Sequence, residues 1–199
     1  MISVGIFAKP PLPGKVKTRL IPDIGATRAA RVYSYCLEYT LAVVKQSGLD
    51  YQLFISEASD DPLFQHEDCS LQKGEDLGAR MFHAFQELLN RGSHGALIIG
   101  TDCLDITSLH LQEAARSLAD HELVLIPAFD GGYTLIGCTA IDPSLFDRLR
   151  WSTDQVYQQT MTNARRLNYR TRSLEPIRDI DSLQDLEHYP ELLALITSS

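Results

Sequence analysis

No apolar run in this chain approaches the length of a membrane span. Cysteine is sparse and scattered: Cys36, Cys69, Cys103 and Cys138 form no C-x-x-C and have no histidine partners at zinc spacing. That pattern argues against a structural zinc site and predicts reduced thiols in a cytoplasmic protein. Positive charge is in short supply, with 18 Lys and Arg against 26 Asp and Glu, a formal net charge of -8. Broad nucleic-acid or membrane-surface binding needs a basic field, so the composition argues against both partner classes. No cationic segment precedes the first apolar run, which stops at Lys9, so no secretory signal is expected. The two commonest phosphate-binding signatures are also missing. Lys9 stands where the first P-loop glycine belongs, Val16 replaces the required Ser or Thr, and no G-x-G-x-x-G occurs. None of the histidines falls into triad or metal-ligand spacing.

What is present is an ordinary globular composition, 44% apolar over 199 residues, enough for the core of one α/β domain spanning 1–199. Short apolar runs alternate with amphipathic stretches throughout. Ile2 to Ala8, Tyr51 to Ser56, Ser70 to Lys73, Ala96 to Ile99, Leu123 to Pro127, Thr134 to Cys138 and Tyr169 to Leu174 read as strands. Helices are expected from a Thr27 cap to Gly48, from Asp76 to Gly92, and from Thr107 through Leu118. Further helices are expected over Ser144 to Arg150, from a Ser152/Gln155 capping box to Leu167, and after Ser182. The alternation predicts a mixed, mostly parallel sheet with helices packed on it.

The most unusual stretch follows the first strand: Lys9-Pro-Pro-Leu-Pro-Gly14-Lys15-Val-Lys17-Thr-Arg19-Leu20. It gathers four cations in an acidic protein, and no acid precedes Asp23. A cationic loop after the first strand is where an α/β fold receives phosphates, although a solvated basic loop would look the same. Asp102 directly follows a fully apolar strand, at the edge where open α/β sheets bind ligands. It reads as a hard-metal ligand or as a turn and capping residue. Asp179-x-Asp181 on extended chain would point both carboxylates to one face, for a metal or for a helix cap. Asp130-Gly131-Gly132-Tyr133 is either a turn between strands or a backbone that a ligand approaches closely, with the Tyr133 ring beside it. Gly74-x-Asp76-Leu-Gly78-x-Arg80 combines a helix start with a cation.

Taken in chain order, with Trp151-Ser-Thr153 between the Asp130 and Asp179 motifs, these segments resemble the bacterial radical-SAM/selenodomain-associated transferases of GT-A fold. Wider relatives include the phospholactate and molybdenum-cofactor guanylyltransferases and the nucleotide-diphospho-sugar transferases. The resemblance covers nearly the whole chain. It implies one GT-A domain, a three-layer α/β/α sandwich, that transfers a nucleotidyl group to a small-molecule acceptor with release of pyrophosphate; the alternatives are glycosyl transfer from a nucleotide sugar or a nucleotide-binding module without catalysis. The donor would be a nucleoside triphosphate or a nucleotide sugar, with Mg²⁺ or Mn²⁺ as cofactor. By the same resemblance Asp102 and Asp181 hold the metal, and Asp102, Asp130 and Lys17 carry catalysis. Lys9, Gly14, Lys15, Lys17, Arg19, Gly74, Asp76 and Arg80 bind the nucleotide. Gly131, Gly132, Tyr133 and Trp151 line the acceptor side. Two departures from the family pattern stand out: Leu104 where a proline usually follows Asp-Cys, and Phe129 where an acid usually precedes Asp130.

Overall fold

A computed structural model describes residues 1–197. Seven strands form one sheet in the order β3-β2-β1-β4-β6-β5-β7. They are β1 (Ile2–Ala8), β2 (Asp50–Ile55), β3 (Cys69–Leu71), β4 (Gly95–Ile99), β5 (Leu123–Pro127), β6 (Tyr133–Cys138) and β7 (Thr171–Ser173). Among the described strands only β6 runs antiparallel, between β4 and β5. β5 and β6 are joined by the tight Asp130 loop, and a short connection of that kind requires antiparallel neighbours. The other strands return through helices, which makes them parallel to one another.

Helices cover both faces, because central strands such as β4 are buried along their whole length. On one face α2 (Ala26–Ser47) and α4 (Ser108–Ser117) pack Tyr33, Leu37, Leu111 and Ala114 against Val4, Ile6, Leu97 and Ile99. On the other, α3 (Leu77–Asn90) and α5 (Val156–Arg166) bring Met81, Phe85 and Ala164 against Ile98, Leu125 and Ile136. A third, smaller core joins α1 (Ile21–Ile24), α2, α6 (Leu183–Leu186) and α7 (Pro190–Thr197) through Leu20, Val32, Ile180, Leu186 and Leu192. The sandwich is therefore three-layered, with a C-terminal helical flap sealing the base of the cation loop.

Three expectations about element ends fail for local reasons. Helix α2 is capped by Gly25 at φ 80°, and Thr27 lies within its first turn. Only one 3-10 turn, Pro143–Phe146, forms where a helix to Arg150 is expected; Arg148 at φ 56° cannot continue it. The Ser152/Gln155 capping box does not form, because Ser152 sits at φ 61°, and α5 starts at Val156 without a side-chain cap. No described helix is long and apolar enough to cross a membrane.

Candidate active site

Four strands deliver chemistry to one edge of the sheet. β1 leads directly into Lys9, β4 into Gly100-Thr101-Asp102 and β5 into Ala128-Phe129-Asp130. Beyond β7 the chain keeps running beside β5, through Leu174 N to Leu125 O at 2.9 Å and Ile177 N to Pro127 O at 3.0 Å. Ile180 N then donates to Asp102 O at 2.8 Å, which sets Asp179 and Asp181 beside the β4 and β5 ends. Here the edge opens into a cleft of about 540 Å³, lined by Lys9, Lys17, Thr18, Arg19, Arg80, Thr101, Asp102, Thr134 and Asp181 among others. A side pocket of about 140 Å³ continues past Asp102 to Asp130 and Asp179.

The cation loop divides its charges. Lys15 points away from the cleft to Glu57, 3.0 Å from its carboxylate, and both are exposed. Gly14, at φ 86°, is an exposed turn. Lys17 turns inward from a left-handed backbone, φ 45° and ψ 44°, a conformation that costs a non-glycine residue about 1–2 kcal/mol. Its side chain is 4% exposed, and its ammonium sits 2.6 Å from Asp102 Oδ1 while donating to Ile180 O at 2.5 Å. Burial pulls the Lys17 pKa down, but the surrounding groups, Asp102 foremost with Cys36 and Asp181, together outweigh it and hold the ammonium above the ordinary lysine value. Arg19 pairs with Asp181. That partner is free because Ser182 caps α6, in a capping box with Asp185, and Asp181 has no capping role.

Three acids gather beside the cation loop, and Asp181 belongs to both groups. One carboxylate oxygen from each of Asp130, Asp179 and Asp181 lies within 4.8 Å of the others. Burial, with Asp130 and Asp181 close by, pushes Asp179 up to about 6. Among the described residues no cationic side chain lines the side pocket. Phe129 flanks the cluster, 64% exposed, with the Arg178 guanidinium 5.6 Å from its ring centroid.

Several residues picked out as binding groups are held by their own chain. Gly131, at φ +88°, lies so close to Asp154 that a Cβ would fall 2.2 Å from its carbonyl oxygen. Its close approach is thus to protein, and Tyr157 N seals it by donating to Gly131 O at 2.9 Å. Gly132 N donates to Asp130 Oδ1 at 2.8 Å, fixing that carboxylate in the turn. Tyr133 lines the cleft with its ring, but its hydroxyl is buried near Thr160 without a hydrogen-bond partner. Trp151 packs on Phe146 and over Gly78, away from both pockets. Gly74 and Asp76 build the start of α3. Asp76 accepts from Ala79 N at 2.8 Å, and Gly74 O accepts from Arg80 Nε at 3.1 Å, which aims Arg80 at the cleft.

Tyr33 escapes a reading by motif because it sits within an apolar helical stripe. Its hydroxyl accepts from Lys9 N at 2.7 Å and from Thr101 Oγ1 at 3.1 Å, joining the ends of β1 and β4 on the cleft floor. Burial pushes its pKa up to about 12, so the hydroxyl stays neutral.

A sequence-family profile described as "Uncharacterized protein conserved in bacteria (DUF2064)" matches residues 40–153. A candidate nucleotide-diphospho-sugar transferase from Desulfovibrio desulfuricans G20 is 30% identical, with a TM-score of 0.90 over 98% of this chain and 96% of that one. A nucleotidyl transferase from Methanothermobacter thermautotroptrophicus is 13% identical, with a TM-score of 0.66 over 98% of each chain. The inositol-1-phosphate CTP transferase from T. maritima is 13% identical, with a TM-score of 0.63 over 99% of this chain and 96% of that one. At such identities the last two share the fold alone. No curated protein matches the chain in sequence. By its family match and its close structural relative, the chain belongs to the DUF2064 family and has the GT-A-like nucleotide-diphospho-sugar transferase fold.

Proposed function

We propose that the protein is a divalent-metal-dependent nucleotidyltransferase, moving a nucleoside monophosphate from a triphosphate to a small acceptor. The observation that carries this reading is one cleft in which Lys9, Lys17, Arg19 and Arg80 face the carboxylates Asp102 and Asp181. Four cations suit a polyphosphate, and oxygen donors alone suit Mg²⁺ or Mn²⁺, which favour carboxylates over nitrogen or sulfur ligands. Asp102 and Asp181 would hold the ion, with Asp130 and Asp179 in reach of Asp181. When bound, it would neutralise charge building on the phosphate oxygens.

Lys17 and Arg19 would hold the β- and γ-phosphates, and Arg80 the far side of the chain. The acceptor would enter the side pocket, so its oxygen meets the α-phosphorus from the side opposite the leaving group. A new P–O bond forms, the bond from the α-phosphorus to the bridging oxygen breaks, and pyrophosphate leaves. Asp179 would take the acceptor's proton, with Asp130 beside it orienting the hydroxyl. Positioning and charge neutralisation are the main protein contributions to such chemistry.

Glycosyl transfer from a nucleotide sugar is the second reading, favoured by the relative of 30% identity described as a candidate nucleotide-diphospho-sugar transferase. There a nucleoside diphosphate would leave, and Asp130 or Asp179 would be the base. A thermal-shift screen of nucleoside triphosphates and nucleotide sugars, with and without Mg²⁺ or Mn²⁺, separates the readings. A ligand at 100 times its Kd stabilises by about 2.7 kcal/mol. Metal-dependent stabilisation by a triphosphate, with pyrophosphate on turnover, is the expected result. A nucleoside diphosphate product would establish the second reading, and no stabilisation by either class would remove both.

A further inference from the structure

One stretch of this acidic chain reverses its charge balance. Residues 148–172 hold six arginines, no lysine and a single acid, Asp154. Arg170 and Arg172 are paired, with Glu122 and Glu113. The other four, Arg148, Arg150, Arg165 and Arg166, are exposed. Among the described residues their one acidic partner is Asp147, 3.6 Å from Arg148 Nε. Elsewhere cations such as Lys15, Lys45 and Arg91 find carboxylates within 3.0 Å.

The fold lines three of these arginines up. Residues 143–150 lie along α5: Arg150 N donates to Gln159 Oε1 at 2.8 Å, and Asn163 Nδ2 donates to Asp147 O at 2.9 Å. One turn further on, Arg166 Nη1 donates to Asn163 Oδ1 at 3.4 Å. Gln159, Asn163 and Arg166 share one helix face, so Arg150, Arg148 and Arg166 follow one another down it. Helix polarity favours arginine in the last turn of α5 and accounts for Arg165 and Arg166. It does not reach Arg148 and Arg150, which lie outside the helix. Arg148 also holds a left-handed backbone, φ 56°, unfavourable for a side chain that is 91% exposed. Beside it opens a groove of about 430 Å³ whose walls include Phe82, Pro143 and Phe146, and which shares no lining residue with the cleft.

We infer that this arginine ladder and its groove dock an acidic segment of a partner protein, one that also carries an aromatic or aliphatic side chain. Carboxylates of the segment pair with the guanidinium groups, whose planar fork matches them, and the apolar side chain enters the groove between Phe82 and Phe146. A long polyanion fits less well, because it would run on from the ladder over a surface of net negative charge. The inference is independent of the transferase reading.

The test is fluorescence anisotropy of a fluorescein-labelled peptide of glutamate and phenylalanine, titrated with the full chain, beside the same peptide with glutamine for glutamate. The parent should bind the acidic form, more weakly as salt rises, and not the glutamine form. Arg148→Gln, Arg150→Gln and Arg166→Gln should each lose roughly two- to five-fold in affinity, as expected of an exposed ion pair, and the triple variant about ten-fold or more. Arg28→Gln removes an exposed cation from α2, on the other face of the sheet, and should bind as the parent does. A parent that does not bind the acidic peptide, equal binding of the two peptides, or parent-like affinity in the triple variant overturns the inference. So does tighter, equally arginine-dependent binding of oligothymidylate or of phosphatidylglycerol vesicles, or a dimer of the parent that the triple variant loses, since each names a different occupant.

Discussion

The two sides of the cleft hold charge in opposite ways. On the cation-loop side each lining acid has a basic partner, Asp102 with Lys17 and Asp181 with Arg19. On the hairpin side Asp130 and Asp179 crowd together in a pocket that no described cation lines, and Asp179 is driven towards its neutral form. Both sides occupy the same sheet edge, so the fold does not set this difference. It comes from which loop supplies the counter-charge. On the first side each carboxylate keeps an opposite charge beside it, whereas on the second burial and crowding favour the protonated form of Asp179.

The largest effect expected from breaking this contrast is structural. Gly131→Ala would put a Cβ 2.2 Å from Asp154 O at φ +88° and force the Asp130 hairpin away from α5. Chemical denaturation should show a loss of roughly 4 kcal/mol or more, the range of backbone strain combined with overpacking. Near-parent stability would mean that the acidic side is not pinned by this contact.

Next comes the division within the cation loop. Lys17→Ala should weaken triphosphate binding about ten-fold or more, since a charge-assisted hydrogen bond contributes roughly 1.5–3 kcal/mol. Lys15→Ala should leave that affinity unchanged, because Lys15 is tied to Glu57 outside the cleft. Calorimetric titration of both variants checks the pair, and equal losses would erase the distinction between inward and outward cations.

The smallest effect is on pH dependence. The folded pKa of Asp179, about 6, lies above the ordinary aspartate value of about 3.9. Between those pH values the native state keeps a proton that the unfolded chain has released. Stability from this group is therefore lost as pH rises from about 4 to about 6, and stays lost above that. Asp179→Asn should remove this slope and gain on the order of 1 kcal/mol or less above pH 6, after allowance for solvent screening. Parallel stability profiles for the two proteins would show that the crowding is relieved by water.

Most of the fold was legible because its strands are short apolar runs and its helices carry clear stripes. The strand expected over Leu123 to Pro127 forms over those residues, and Asp76 and Thr107 cap the helices expected of them. Two of the three failures sit where non-glycine residues adopt left-handed backbone, at Arg148 and Ser152, which no periodicity announces; in the third, Gly25 takes the cap expected of Thr27. At the site, strand-end position brought Asp102 and Asp130 to one edge, and the structure adds the Asp179–Asp181 segment, whose place the sequence left open. Side-chain direction was beyond its reach. Nothing local to Lys15 or Lys17 says which one turns inward; that depends on Asp102 and Ile180, far along the chain. Gly131, Gly74 and Trp151 illustrate the same limit. Each has a motif-like signature whose partner proves to be the chain's own backbone or core.

The Tyr33 hydroxyl works as a rivet. By holding the Lys9 amide and the Thr101 side chain at once, it fixes the gap between the ends of β1 and β4 from beneath. The cleft floor cannot widen without breaking both bonds. The wall above it, where Lys9, Lys17, Thr18 and Arg19 line the cleft, therefore stands on a base of fixed width. Two hydrogen bonds to a single side-chain oxygen set the distance across which the cations and carboxylates of this edge face one another.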